Sequence, residues 1–202
     1  MQLGKQVARI ALSAGMALIA AAAVAFAAPA TAATAPSMAP APAPVATSSA
    51  STSSTDLPSL LSRQARSDAE LREQIALQLK IAPGGKQTSR NEVSYDNGKF
   101  VVTYALPGQR ALGVPDCPSG WFCFYEHINF GYPRGRLSDC GQQYLGDYGW
   151  NYRVSSVDNS TTSSVHYYDI SYLYLFTNYN PGPIAYVGNA ANDQAAFVFR
   201  IC

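Results

Sequence analysis

The sequence predicts a mainly β fold, a sandwich of two Greek keys preceded by a helix and a β-hairpin. Three observations carry this. From Trp121 onward, short aromatic and β-branched runs alternate with Gly, Pro, Asn and Asp, the spacing of an antiparallel sandwich. The apolar repeat in the upstream segment switches from a helical to an alternating period. All four cysteines fall between residues 117 and 202, as expected for a small domain held by disulfides.

The amino terminus has the three parts of a secretory signal peptide. Lys5 and Arg9 precede an apolar run from Ile10 to Ala27, and small residues follow at Ala30-Thr31-Ala32. The run is mostly Ala and contains Ser13 and Gly15, too weakly apolar for a membrane anchor. Residues 1–33 are therefore read as a cleaved signal, and the product as secreted, extracellular and not membrane-bound. Cleavage removes two of the 14 basic residues and none of the 13 acidic ones, taking the formal charge from +1 to 12 − 13 = −1. A nearly neutral chain lacks the basic footprint needed for nucleic acid.

Residues 34–55 are almost entirely Ala, Pro, Ser and Thr, a composition that cannot bury enough apolar surface to order itself, and are read as a disordered linker. Residues 56–107 form the flank. Asp56-Leu57-Pro58 offers a helix start, and Ser67-Asp68-Ala69-Glu70 is a capping-box pattern followed by Leu71, Ile75 and Leu79 on one face. Pro83-Gly84-Gly85 ends that helix. Two β-rich runs, 92–95 and 99–106, are joined through Asn97-Gly98, which supplies the positive φ angles of a type I′ turn. A helix plus a hairpin is too little for a core of its own, so this flank is expected to dock on residues 108–202.

In that last segment the expected strands are 121–125, 136–138, 154–157, 164–168, 172–176, 184–187 and 196–200. The cysteines permit three pairings. Cys117 with Cys123 closes a tight loop through Pro118-Ser119-Gly120 and leaves Cys140 to hold Cys202. The second bond closes a loop of about sixty residues, worth roughly 4 kcal/mol in the chain-entropy model. A zinc site is disfavoured, since there is no Cys-x2-Cys pair and only His127 and His166 could assist.

No enzyme is indicated and no catalytic residue is assigned. The chain lacks a His-Glu-x-x-His motif, a Gly-x-Ser-x-Gly turn and a phosphate-binding glycine loop, and His127, between Glu126 and Asn129, reads as a solvated loop residue.

The stretch Phe124-Tyr125-Glu126-His127-Ile128-Asn129-Phe130-Gly131 resembles the folded-hairpin signature of βγ-crystallin domains, in which an aromatic, four intervening positions and a second aromatic are followed closely by a glycine. The glycine comes one place early, at Gly131 rather than at Tyr132, and it is missing from the counterpart at Tyr167 to Tyr172. From Cys117-Pro118-Ser119-Gly120-Trp121-Phe122-Cys123 to Arg200-Ile201-Cys202 the chain is similar to the secreted, crystallin-like peptidase inhibitor family thirty-six of actinobacteria. That resemblance implies a proteinase inhibitor, with a metalloproteinase as partner, acting as a monomer through a rigid loop and requiring no cofactor.

Such a loop should present a bulky apolar residue on a stiffened turn. Asn178 to Ile184 fits, with Pro183 and Ile184 as the inhibitory residues, and Ala111-Leu112-Gly113-Val114-Pro115 is a second candidate. The resemblance also implies calcium loops of the pattern Asn/Asp-Asn/Asp-x-x-Ser/Thr-Ser. The loop at 151–156 keeps its hydroxyls but has Tyr152 at the second position, and the loop at 192–197 keeps Asn192 and Asp193 but has Ala196 in place of a hydroxyl. One weak calcium site is the most these residues allow, built on Asn151, Ser155 and Asp193. A calcium-binding or structural extracellular protein and a polysaccharide-binding module are the alternative readings.

Overall fold

The computed structural model describes residues 57–109 and 113–202. Residues 1–56, which include the expected signal peptide and linker, and Arg110-Ala111-Leu112 lie outside the described residues. The described elements all belong to one compact unit.

Two helices open it, α1 (Leu57–Ser62) and α2 (Asp68–Ile81). Ser67 caps α2, its hydroxyl accepting from the Glu70 N–H at 3.2 Å. The Glu70 carboxylate turns back to the Arg66 N–H at 2.7 Å rather than to that of Ser67. The buried stripe of α2 includes two glutamines, Gln74 and Gln78, alongside Leu71 and Ile75, while Leu79 is only half-buried. Gln74 donates to Leu60 O and Arg63 O, tying α2 to the end of α1. Gln78 donates to Tyr95 Oη and Tyr148 O and accepts from Tyr104 Oη, all within 2.9 Å. Helix docking is therefore specified by polar groups whose partners leave them no exit to water.

The flank continues with β1 (Lys86–Gln87), β2 (Glu92–Tyr95) and β3 (Phe100–Thr103). Between β2 and β3, Asn97 (φ 55°, ψ 35°) and Gly98 (φ 93°) form the type I′ turn, closed by Lys99 N–H donating to Asp96 O at 3.2 Å. The remaining strands are β4 (Phe122–His127), β5 (Gly131–Leu137), β6 (Gly141–Tyr144), β7 (Ser156–Asn159), β8 (Val165–Tyr168), β9 (Tyr174–Asn178), β10 (Gly182–Ile184) and β11 (Phe197–Arg200). One sheet has the order β1-β2-β3-β5-β4-β7-β10, the other β6-β11-β8-β9.

These are two Greek keys, β4 to β7 and β8 to β11. Each sends its third strand to the sheet of the other: β6 pairs with β11, and β10 pairs with β7. The flank enters the first sheet directly, with β3 antiparallel to β5 and Phe100 opposite Leu137. Differences from the sequence reading have local causes. β6 is Gly-Gln-Gln-Tyr, with Tyr144 its one aromatic and no β-branched residue, and the strand expected over 184–187 ends instead at Ile184.

Between the sheets the core joins Phe122, Phe124, Val157, Val165, Tyr167, Val198 and Trp150 to Phe100, Tyr148 and the helix residues Leu71 and Ile75. On the other face of β4, Cys123, Tyr125 and Phe130 form a second apolar cluster under Trp121. Tyr125 and Phe130 meet edge to face at 5.5 Å, closing the folded hairpin. Gly131 is required there, because a Cβ would lie 2.8 Å from the His127 Cβ. The second key differs, since Tyr167 stacks on Phe176 while Tyr172 turns outward onto Phe197. Disulfides join Cys117 to Cys123 and Cys140 to Cys202. Among the described residues, no helix is long and apolar enough to cross a membrane.

Candidate functional site

The chain crosses from β9 to β10, and so from one sheet to the other, through Tyr179-Asn180-Pro181. Both ends of this turn are anchored. Asn178 is fully buried, and its carbonyl accepts from Asn159 Nδ2 at 3.1 Å. At the other end only glycine fits, because a Cβ on Gly182 would stand 2.6 Å from Tyr179 O. The Asn180–Pro181 bond is cis. At the apex Tyr179 is 70% exposed, the most exposed large apolar side chain of the described residues.

Pro183 and Ile184 are placed differently from the sequence expectation. Both lie in β10, opposite Asp158 and Val157 of β7. Ile184 is half-buried and packs against the main core, so it is not free to fill a partner's pocket. Pro183 faces outward on a sheet edge, where its missing N–H costs nothing. The residue that the turn presents is Tyr179, which the sequence reading passed over because the strand was expected to begin at Ile184, whereas it begins at Gly182 and ends at Ile184.

The second candidate loop is described only from Gly113, where Val114 is 63% exposed. Its base is rigid. Asp116 accepts from Tyr125 Oη at 2.8 Å and from Tyr132 Oη, and pairs with Arg134 at 2.8 Å. Burial, assisted by the Asp116 charge, pushes the hydroxyls of Tyr125 and Tyr132 well above the usual tyrosine range, so both remain donors. Asp116 and Arg134 carried no sequence signal, since neither stands in a motif.

Of the calcium residues, two meet. Ser155 Oγ lies 3.3 Å from Asp193 Oδ1, with Asn192 Nδ2 donating to Asp193 Oδ2 at 2.7 Å. Asn151 is directed elsewhere: its Nδ2 donates to Tyr144 Oη at 2.7 Å, and its Oδ1 is buried without a partner. Calcium takes six to eight oxygens, and here one carboxylate and one hydroxyl converge. No cluster of three or more His, Cys, Asp or Glu occurs among the described residues. This donor set does not fit a tight calcium site.

His127 forms no catalytic array. Its Nε2 meets Ser62 O, and its carbonyl accepts from Ser156 Oγ at 2.7 Å, a bond that locks the folded hairpin. Next to it Glu126 accepts from Ser62 Oγ and pairs with Arg153 at 2.5 Å. Arg153 also donates to Gly149 O and Leu61 O and lies over the Trp150 ring. These groups fasten α1 to the sandwich.

Comparison with known proteins bears on this molecule through one segment. Residues 111–174 match peptidase inhibitor family I36. This is the crystallin-like inhibitor family that the sequence resembles, and it is a family of inhibitors, not of enzymes. No curated protein matches the chain. Similar solved structures include a clostrillin double mutant in complex with nickel, 24% identical over 41% of this chain and 98% of that one, TM-score 0.35. A βγ-crystallin domain from Clostridium beijerinckii is 24% identical over 40% of this chain and 95% of that one, TM-score 0.34. A βγ-crystallin from Ciona intestinalis is 20% identical over 41% of this chain and all of that one, TM-score 0.35.

Proposed function

We propose that this protein is a secreted monomeric inhibitor of an extracellular metalloproteinase, exported by residues 1–33 and acting through the β9–β10 turn. The match of residues 111–174 to a peptidase inhibitor family carries the reading. The turn adds a physical reason. A loop already held by Asn178 at one end and Gly182 at the other loses little entropy on entering a protease cleft. Thermolysin-type enzymes favour a bulky apolar residue in the pocket beside the scissile bond, and Tyr179, exposed at the apex of the turn, is the side chain that fills it.

The test is to titrate the whole chain against metallo, serine and cysteine proteinases. Stoichiometric loss of the metalloenzyme's activity alone, relieved by Tyr179→Asp, is expected. Inhibition untouched by that change would place the contact on another loop, and digestion of the chain without inhibition of any enzyme would overturn the proposal.

A further inference from the structure

The outer face of the β6-β11-β8-β9 sheet has no covering element among the described residues, yet it is not the polar surface usual for a solvated antiparallel sheet. The strand register places Tyr144, Phe197, Tyr168 and Tyr174 in one row across it. Gln142, Phe199, His166 and Thr177 form the next row on the same face. From the β8–β9 loop Tyr172 folds over, its ring stacked on Phe197 at 4.3 Å. No Asp, Glu, Lys or Arg stands at any position of the two rows.

Cross-strand packing accounts for part of this. Phe197 is nearly covered, between Tyr144 and Tyr172. It does not account for Tyr172, Tyr174 and Phe199, which stay 58%, 53% and 39% exposed. Tyr172, Phe199, Tyr168 and Gln142 line an open cleft of about 290 Å³. The Gln142 amide and the Tyr168 and Tyr172 hydroxyls make no hydrogen bond among the described residues. The loop that carries Tyr172 is held in place, since Asp169 Oδ1 accepts from the Ser171 and Leu173 N–H groups at 2.8 Å.

We propose that this face is a second binding site, for a neutral polysaccharide, centred on the cleft between Gln142, Tyr168, Tyr172 and Phe199. Charge and size select that ligand. Rows without a formal charge suit a partner without one. With strands about 4.8 Å apart and side chains of one face about 7 Å apart, the two rows span on the order of 100–200 Å². A stable protein partner buries about 800 Å² on each side, so the patch is too small for a second copy and of the right scale for a short run of sugar rings. A pyranose ring supplies what the cleft lacks. Its C–H face carries slight positive charge and packs on the negative face of an aromatic ring, and its hydroxyls can bond the unpaired amide and phenols at the rim. The inhibitory turn takes no part, so the two activities are separable.

The test is co-sedimentation of the whole chain with insoluble chitin, cellulose and β-1,3-glucan, repeated for Tyr172→Ala, Phe199→Ala and Gln142→Ala. The chain should pellet with at least one of them, and each variant should bind roughly tenfold more weakly or worse, as for loss of an anchor residue, with proteinase inhibition unchanged. Tyr172 is on a loop and Gln142 on the edge strand β6, so these two variants keep the test valid if Phe199→Ala loosens β11. No pelleting with any of the three, or equal pelleting of the Tyr172→Ala and Gln142→Ala variants, would overturn the proposal. So would a chain that sediments as a dimer and becomes monomeric on Tyr172→Ala.

Discussion

Replacing Phe100 by Ala tests whether the flank is part of the core or an appendage to it. Phe100 is fully buried, stacked on Tyr148 with centroids 3.9 Å apart and planes within 9°. It lies 5.9 Å from Phe124 and 5.7 Å from Tyr95, so its ring touches both the flank and the sandwich. Truncating a buried Phe costs about 3–5 kcal/mol in transfer and cavity terms. No neighbour here can collapse easily, because Tyr148 is held by its hydrogen bond to Asp96 at 2.6 Å and by the Gln78 bond to its carbonyl. A loss near 4 kcal/mol is expected, about a thousandfold in the folding equilibrium. For a unit of this size the melting temperature should fall by roughly 8–16 °C. Urea unfolding read by tryptophan fluorescence and by far-ultraviolet circular dichroism is the assay. Both signals should shift together with an unchanged slope. A loss below about 1 kcal/mol, or a helical signal that melts while the tryptophan signal stays put, would refute the view that residues 57–109 and the sandwich share one core.

Three further outcomes are expected. Burial would raise the Glu70 carboxyl, but the Arg66 N–H and the guanidinium groups of Arg66 and Arg63 outweigh it and lower the value below 4.5. The stability this supplies is present above about pH 4.5 and lost as pH falls through the lowered folded value, so the gap in urea midpoint between the protein and Glu70→Gln should close on acidification to pH 3; a gap constant with pH would exclude the linkage. Removing the Cys140–Cys202 bond by a double Ser substitution should cost roughly 4 kcal/mol, given the 62 residues it spans, and peptide mapping that found Cys117 joined to Cys202 would reject the pairing. Calcium titration by calorimetry should find no site tighter than about millimolar, the weak end of the extracellular range, and two tight sites would contradict the turned-away Asn151.

Local chemistry was legible in the sequence where one residue decides a backbone geometry. Ser67 caps α2, and Asn97-Gly98 makes the turn between β2 and β3. Tyr125 and Phe130 close the first hairpin. What escaped detection depends on partners distant in the chain. Gln78 reads as a surface helix residue until Tyr95, Tyr104 and Tyr148 surround it. The polar strand β6 exists because β11 offers it a ladder, and Ile184 is withdrawn from the surface by its pairing with Val157. The candidate turn was readable as a stiff segment from its prolines, but which side chain it shows depends on a strand boundary that only the pairing with β7 sets.

The exchange of third strands bears on what happens if a proteinase does cut the β9–β10 turn. The carboxyl-terminal piece would contain β10 and β11, each laddered to strands of the larger piece, with β11 lying between β6 and β8. It would also remain tethered through Cys202 to Cys140. Hydrolysis would thus release neither fragment, and the new carboxylate and amine would stay side by side in the cleft, positioned to rejoin. A nicked molecule would keep its shape and continue to occupy the enzyme that nicked it.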